Sequence, residues 1–266
     1  MRRKLHFFLF LFLLITVQGY GQTWSASLVT GKLSVGTAKY LKMDMYADTI
    51  YIAFADGGNG DKATVMKYTG SGWVHVGLPG FTAGKAAELQ LSVSGGTPWV
   101  AYSDGANGNR VSVMRYDGSG WVYAGSPGFS KYVATHVALA VEGGTAWVAY
   151  SDAEFNDKAT VVKGSGGGWS TVGTPGFTPG MSGVYSLAVS GSTPWLAFRD
   201  YANNYRASVM KYDGSKWVFA GTPGFTPSTH DAGRRCLVAD GGTAWLATRG
   251  TDAKATVGHQ TPPAGI

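Results

Sequence analysis

The chain repeats itself every 48 residues, and this restricts its fold more than any other feature. Trp73, Trp121, Trp169 and Trp217 keep that interval, as do Phe81, Phe129, Phe177 and Phe225, each inside a Pro-Gly-Phe triplet. Tyr51, Trp99, Trp147 and Trp195 form a third series, and Asp56, Asp104, Asp152 and Asp200 a fourth. A fixed period of this length marks one supersecondary unit that buries its apolar faces only against its neighbours.

Each unit divides into four short strands. In the second, LQLSV is followed by the turn Ser94–Pro98, WVAYS by a loop over Asp104–Asn109, and RVSVMRY by the turn Asp117–Gly120 before WVYAG. Glycine supplies the positive φ angles of such hairpin turns, and the chain holds 40 glycines. Four antiparallel strands per repeat predict an all-β fold, a five-bladed β-propeller. Its units run over about 34–81, 82–129, 130–177, 178–225 and 226–266, the last joined by 22–33. The fifth unit shows three strands, around Cys236–Ala239, Trp245–Thr248 and Ala255–Val257, and the segment Trp24–Ser27 precedes the first unit as an orphan fourth. Pairing the two would close the ring and leave no open edge. Strands that are apolar on both sides, such as WVAY and WLAF, fit blades covered on both faces.

Met1–Lys4 is basic, Leu5–Val17 is apolar, and Gly19 and Gly21 follow, the pattern of a secretory signal peptide over residues 1–21. The expected mature chain, 22–266, is a single secreted or cell-surface domain without a membrane span, and a monomer. Removing Arg2, Arg3 and Lys4 leaves 19 Lys and Arg against 16 Asp and Glu, a formal charge of +3 that is evenly spread. Nucleic-acid binding calls for a concentrated basic stripe, which the chain lacks. Cys236 is the single cysteine and reads as a small strand residue rather than a nucleophile.

Loops on a rigid scaffold are the usual bearers of function. Alternating chain direction puts the short glycine turns on one rim and the longer loops after the second and fourth strands on the other. The loops after the second strand read DGGNGDK (56–62), DGANGNR (104–110), DAEFNDK (152–158) and DYANNYR (200–206), and the fifth shortens to Gly250–Lys254. Asp56, Asn59 and Lys62, Asp104, Asn107 and Arg110, Asp152, Phe155 and Lys158, and Asp200, Tyr201, Asn203 and Arg206 are the candidate ligand contacts. Carboxylate, amide and cation offer acceptors and donors to sugar hydroxyls, while Phe155, Tyr201 and Tyr205 offer apolar ring faces. The competing reading makes each Asp and Asn a turn cap, with the Asp paired to the cation that closes its loop. Asp56, Asn59 and Asp61 have a spacing that could contribute to a calcium site, but the later loops lose it, and no metal or cofactor is expected. The tryptophans and the Pro-Gly-Phe triplets read as packing between blades.

An enzyme is not expected. Glycoside hydrolysis needs unlike carboxylates with different environments, and the four loop aspartates are equivalent by repeat. His75, His136, His230 and His259 show no metal-ligand spacing. In architecture the chain resembles the five-bladed tachylectin-type lectins, which use repeats of similar length with a tryptophan in each. Its wording (GTPWVAYSDGANG, VMRYDGSGWVYAGSPGF) also resembles tandem repeats of secreted bacterial surface proteins. The lectin resemblance implies several shallow sugar sites. The expected partners are therefore glycans or, for a purely structural propeller, a surface protein.

Overall fold

The computed structural model describes residues 32–226, 236–249 and 255–260. The expected leader, the Trp24–Ser27 strand, His230 and the Gly250–Lys254 loop lie outside the described residues.

Each repeat forms its own antiparallel sheet. The first holds β1 (Ala38–Tyr46), β2 (Thr49–Asp56), β3 (Lys62–Tyr68) and β4 (Trp73–His75), and the second β5 (Ala86–Ser94), β6 (Thr97–Asp104), β7 (Arg110–Tyr116) and β8 (Trp121–Tyr123). The third comprises β9 (Ala134–Glu142), β10 (Thr145–Asp152), β11 (Lys158–Gly164) and β12 (Ser170–Thr171). The fourth comprises β13 (Ser182–Ser190), β14 (Thr193–Asp200), β15 (Arg206–Tyr212) and β16 (Trp217–Phe219). The fifth has three strands among the described residues, β17 (Cys236–Asp240), β18 (Thr243–Arg249) and β19 (Ala255–Gln260).

The core lies between sheets, because side chains alternate along a strand. In β6, Val100 and Tyr102 pack on the first sheet, while Trp99 and Ala101 pack on the third. First strands touch in succession, β1 on β5, β5 on β9, β9 on β13 and β13 on β17. The continuous apolar runs follow from that two-sided cover.

Ring stacks fill the three gaps between the first and fourth sheets. Phe81 lies flat on Trp121 of the next sheet at 4.1 Å, and Phe177 on Trp217 at 4.2 Å. The two indoles donate Nε1–H to the carbonyls of Val76 and Val172. Tyr116 and Tyr212 lean on them from the side. The third sheet has Gly164 where those tyrosines stand, and Trp169 lies tilted by 25° on Phe129, its buried N–H unpartnered. Gly125, at φ +86, sits under that indole, and a Cβ there would come 2.7 Å from Trp169 Nε1.

The structure extends the first strands beyond the sequence pattern. β5 begins at Ala86, three residues before LQLSV, through a bulge in which Glu88 takes φ +54. Tyr40 and His136 repeat it at φ 53. A bulge adds an unpaired residue and breaks the alternation on which a strand is recognised.

The short turns are self-capped. Asp117 accepts hydrogen bonds from Ser119 N, Gly120 N and Ser119 Oγ, and Asp213 accepts the same set from Ser215 and Lys216. Backbone N–H groups, Ser119 first for Asp117 and Lys216 first for Asp213, hold each carboxyl down at about 2. A depressed folded pKa gives stabilisation that is complete above the ordinary value and is lost as pH falls through the folded one. Both carboxyls are therefore expected to stay ionised from pH 4 to near pH 2. Carboxyl-carbon NMR titration checks this, and midpoints near 4 would contradict it.

Candidate functional site

The loops between second and third strands share one construction. Each Asp ends its strand in extended backbone and caps a 310 turn, Gly57–Asn59, Gly105–Asn107, Ala153–Phe155 or Tyr201–Asn203. Asp104 accepts from Ala106 N at 2.9 Å, Asn107 Nδ2 at 2.9 Å and Ser112 Oγ at 2.6 Å. Asp200 accepts from Ala202 N at 3.1 Å, Asn203 Nδ2 at 2.8 Å and Ser208 Oγ at 2.7 Å. Asp56 takes Gly58 N, Gly36 N and Asn59 Nδ2. All four aspartates are buried.

These carboxylates therefore face inward. Buried charge has to be matched by donors, and here amides and hydroxyls supply them. Asp56, Asp104, Asp152 and Asp200, with Asn59, Asn107 and Asn203, hold the loops from within. An ion pair with the closing cation does not form: among the described residues the pairs are Lys39–Asp61, Lys85–Asp61 and Lys131–Glu154. Arg110 instead donates from Nε to the Asn107 carbonyl at 3.0 Å. Lys62, Arg110, Phe155, Lys158 and Tyr201 are half-buried at the loop surface, and Arg206 is exposed.

Neighbouring loops fasten onto this rim. The Pro-Gly-Phe loops pack there: a Cβ on Gly80, Gly128 or Gly224 would meet Asn59, Asn107 or Asn203 at 2.8 Å, and one on Gly176 would meet Phe155 at 2.5 Å. Thr82, Ser130, Thr178 and Thr226, 48 apart, accept backbone N–H bonds from Ala63, Val111, Ala159 and Ala207. The loop ends also join sheets, since Ala86, Ala134 and Ser182 donate to the carbonyls of Asp61, Asn109 and Asp157. The 48-residue spacing of these hydroxyls is visible in the sequence, but no local motif there assigns them this role.

The third loop departs from the rest. Phe155 replaces the asparagine, so Asp152 accepts from Glu154 N at 3.1 Å without an amide partner. A cavity of about 260 Å³ opens beside it, lined by Phe129, Lys131, Tyr150, Asp152, Phe155 and Trp169. Burial first, and then the Asp152 charge, pushes the Tyr150 hydroxyl far up. It remains a neutral donor at any ordinary pH. With Asp152 and Tyr150 buried at its base, the lysine and ring faces of this recess suit a polyhydroxylated ligand.

Sheets stacked face to face with one repeat to each define a β-propeller. No protein-family model matches the sequence, and no curated protein does. Solved structures share the fold. A mutant Aleuria aurantia lectin in complex with Fucα1-6GlcNAc has a TM-score of 0.55 at 17% identity, covering 85% of this chain and 75% of that one. A triple arginine-to-alanine mutant of AofleA from Arthrobotrys oligospora has a TM-score of 0.59 at 13% identity, covering 82% and 67%. A third, a fungal lectin described as a six-bladed β-propeller with a fucose recognition mode of Aleuria aurantia lectin, gives 0.56 at 16%, covering 79% and 70%. At such identities the likeness is one of fold; the described residues form five sheets, and that lectin is described as six-bladed.

Proposed function

We propose that this chain is a secreted, non-catalytic, lectin-like protein that recognises glycans through several weak, related sites on its long-loop rim. The observation that carries the reading is the rim itself. Buried carboxylates fix the four described loops from within, and cations and ring faces stand on those braced loops at the surface of successive sheets. Preorganisation limits the entropy lost on binding, and repeated sites convert weak contacts into avidity for a glycan-covered surface. The glycans named with the propeller lectins of similar fold support the ligand class. We further propose that the five sheets close as a monomeric five-bladed ring, with residues 22–33 completing the fifth.

One observation favours a second reading, a structural or protein-binding propeller: the Asp–Asn pairs of three loops direct their hydrogen bonds inward. A glycan-array screen of residues Gln22–Ile266 separates the two. Saturable binding to a defined sugar class is expected. A blank array with folded protein overturns the lectin reading in favour of the second.

A further inference from the structure

The fourth sheet breaks the repeat at three positions that meet in space. Arg199 stands where the preceding sheets have Ala55, Ser103 and Ser151. Tyr201 opens its turn where the others have Gly57, Gly105 and Ala153. Tyr205 adopts φ +61, a left-handed conformation that the other loops give to Asp61, Asn109 and Asp157. Asp and Asn tolerate that region, whereas a bulky residue there is strained, and such strain gathers at functional sites.

The Arg199 guanidinium carbon lies 5.5 Å from the centroid of Tyr201 and 5.0 Å from that of Tyr205, and the two rings meet edge to face at 4.7 Å. Its Nε is buried and has no acceptor. Among the described residues, no carboxylate lies within 4.0 Å of it. The rings hold the plane of the cation without engaging its N–H groups. Across the junction with the third sheet, His136 approaches the base of the Arg199 side chain. A Cβ on Gly183, the cross-strand partner of Arg199, would lie 3.4 Å from Arg199 Cβ and 3.8 Å from His136 Nε2. Gly183 lies outside the left-handed region, so backbone conformation does not demand glycine, and its missing side chain leaves space between Arg199 Cβ and the His136 ring. His136 Nδ1 lies 3.1 Å from Thr135 Oγ1, which leaves Nε2 toward that space.

We propose that Arg199, Tyr201, Tyr205 and His136 form a receptor for the carboxylate of an acidic sugar, one per molecule, a specialised form of the repeated loop site at the fourth loop. This rests on the lectin reading and narrows it to uronate-type saccharides at one place on the rim. A guanidinium matches a carboxylate with two parallel hydrogen bonds. The exposed ring of Tyr205 offers a platform for the apolar face of a pyranose, and His136 Nε2 a partner for a hydroxyl.

Calorimetry of residues Gln22–Ile266 with trigalacturonic acid and with its methyl ester tests this. The acid is expected to bind at a stoichiometry of one and at least tenfold more tightly than the ester. Arg199→Ser, which installs the residue of the second and third sheets, removes the preference without lowering the melting temperature, and Arg199→Lys loses most of it with the fork. Tyr205→Asn relieves the backbone strain, so the melting temperature rises while acid binding falls. Equal affinity for acid and ester overturns the proposal, as does a preference that survives Arg199→Ser or a Tyr205→Asn variant of unchanged affinity. Neutral glycans bound with the acid ignored remove this proposal and leave the lectin reading standing. Failure of every saccharide removes both.

Discussion

Replacing Asp104 by alanine is expected to destabilise the protein by about 3 kcal/mol, lowering the melting temperature by roughly 6–12 °C in a domain of this size. The side chain is fully buried and is the acceptor for Ala106 N, Asn107 Nδ2 and Ser112 Oγ. Its loss leaves three donors without their acceptor, and the Ser112 hydroxyl among them is buried. Ser112 Oγ in turn accepts from Gly128 N, so the Pro-Gly-Phe loop loosens with it. Asp200→Ala, with the same three kinds of partner, is expected to match it. Asp152→Ala, which loses one backbone donor and no asparagine, is expected to cost less. Urea unfolding of the three variants checks the order. Asp104→Ala within about 0.5 kcal/mol of the parent, the range of ordinary surface substitutions, would mean that the loops are not held from within.

Trp217→Ala is expected to be at least as damaging, at about 3–5 kcal/mol. The indole stacks on Phe177 at an interplanar angle of 5°, touches Tyr212, and satisfies the Val172 carbonyl. Its removal opens a cavity between the third and fourth sheets and leaves that carbonyl without its donor. Trp169→Ala makes the comparison. That ring is tilted, has no acceptor for its N–H and no tyrosine at its side, so its loss is expected to cost distinctly less. Equal effects would contradict the plug as the element that locks neighbouring sheets.

The period makes most strand positions legible, because Trp99, Trp147 and Trp195 are buried alike and Phe81, Phe129 and Phe177 each lie against a tryptophan of the next sheet. Strand starts were less legible. The left-handed residues at Glu88 and His136 break the alternation by which a strand is read, and a bulge leaves no mark in composition. Among the candidate contacts, the sequence puts the aspartates at the start of the loops after the second strands but does not say which way the carboxylates turn. Ser112 and Ser208, eight residues beyond Asp104 and Asp200, carried that information, since they supply the inner donors. Arg199 was visible only as a departure from Ala55, Ser103 and Ser151, and its environment depends on Tyr205 and His136, which three-dimensional packing brings near.

The most direct test of the central claim is amide chemical-shift mapping of the isotope-labelled chain, titrated with the saccharide that the array retains. The predicted result is shifts in residues 56–62, 104–110, 152–158 and 200–206, with the turns at 94–97, 142–145 and 190–193 unmoved. Shifts confined to those short turns, or none at saturating saccharide, would contradict a glycan-binding rim built on the long loops.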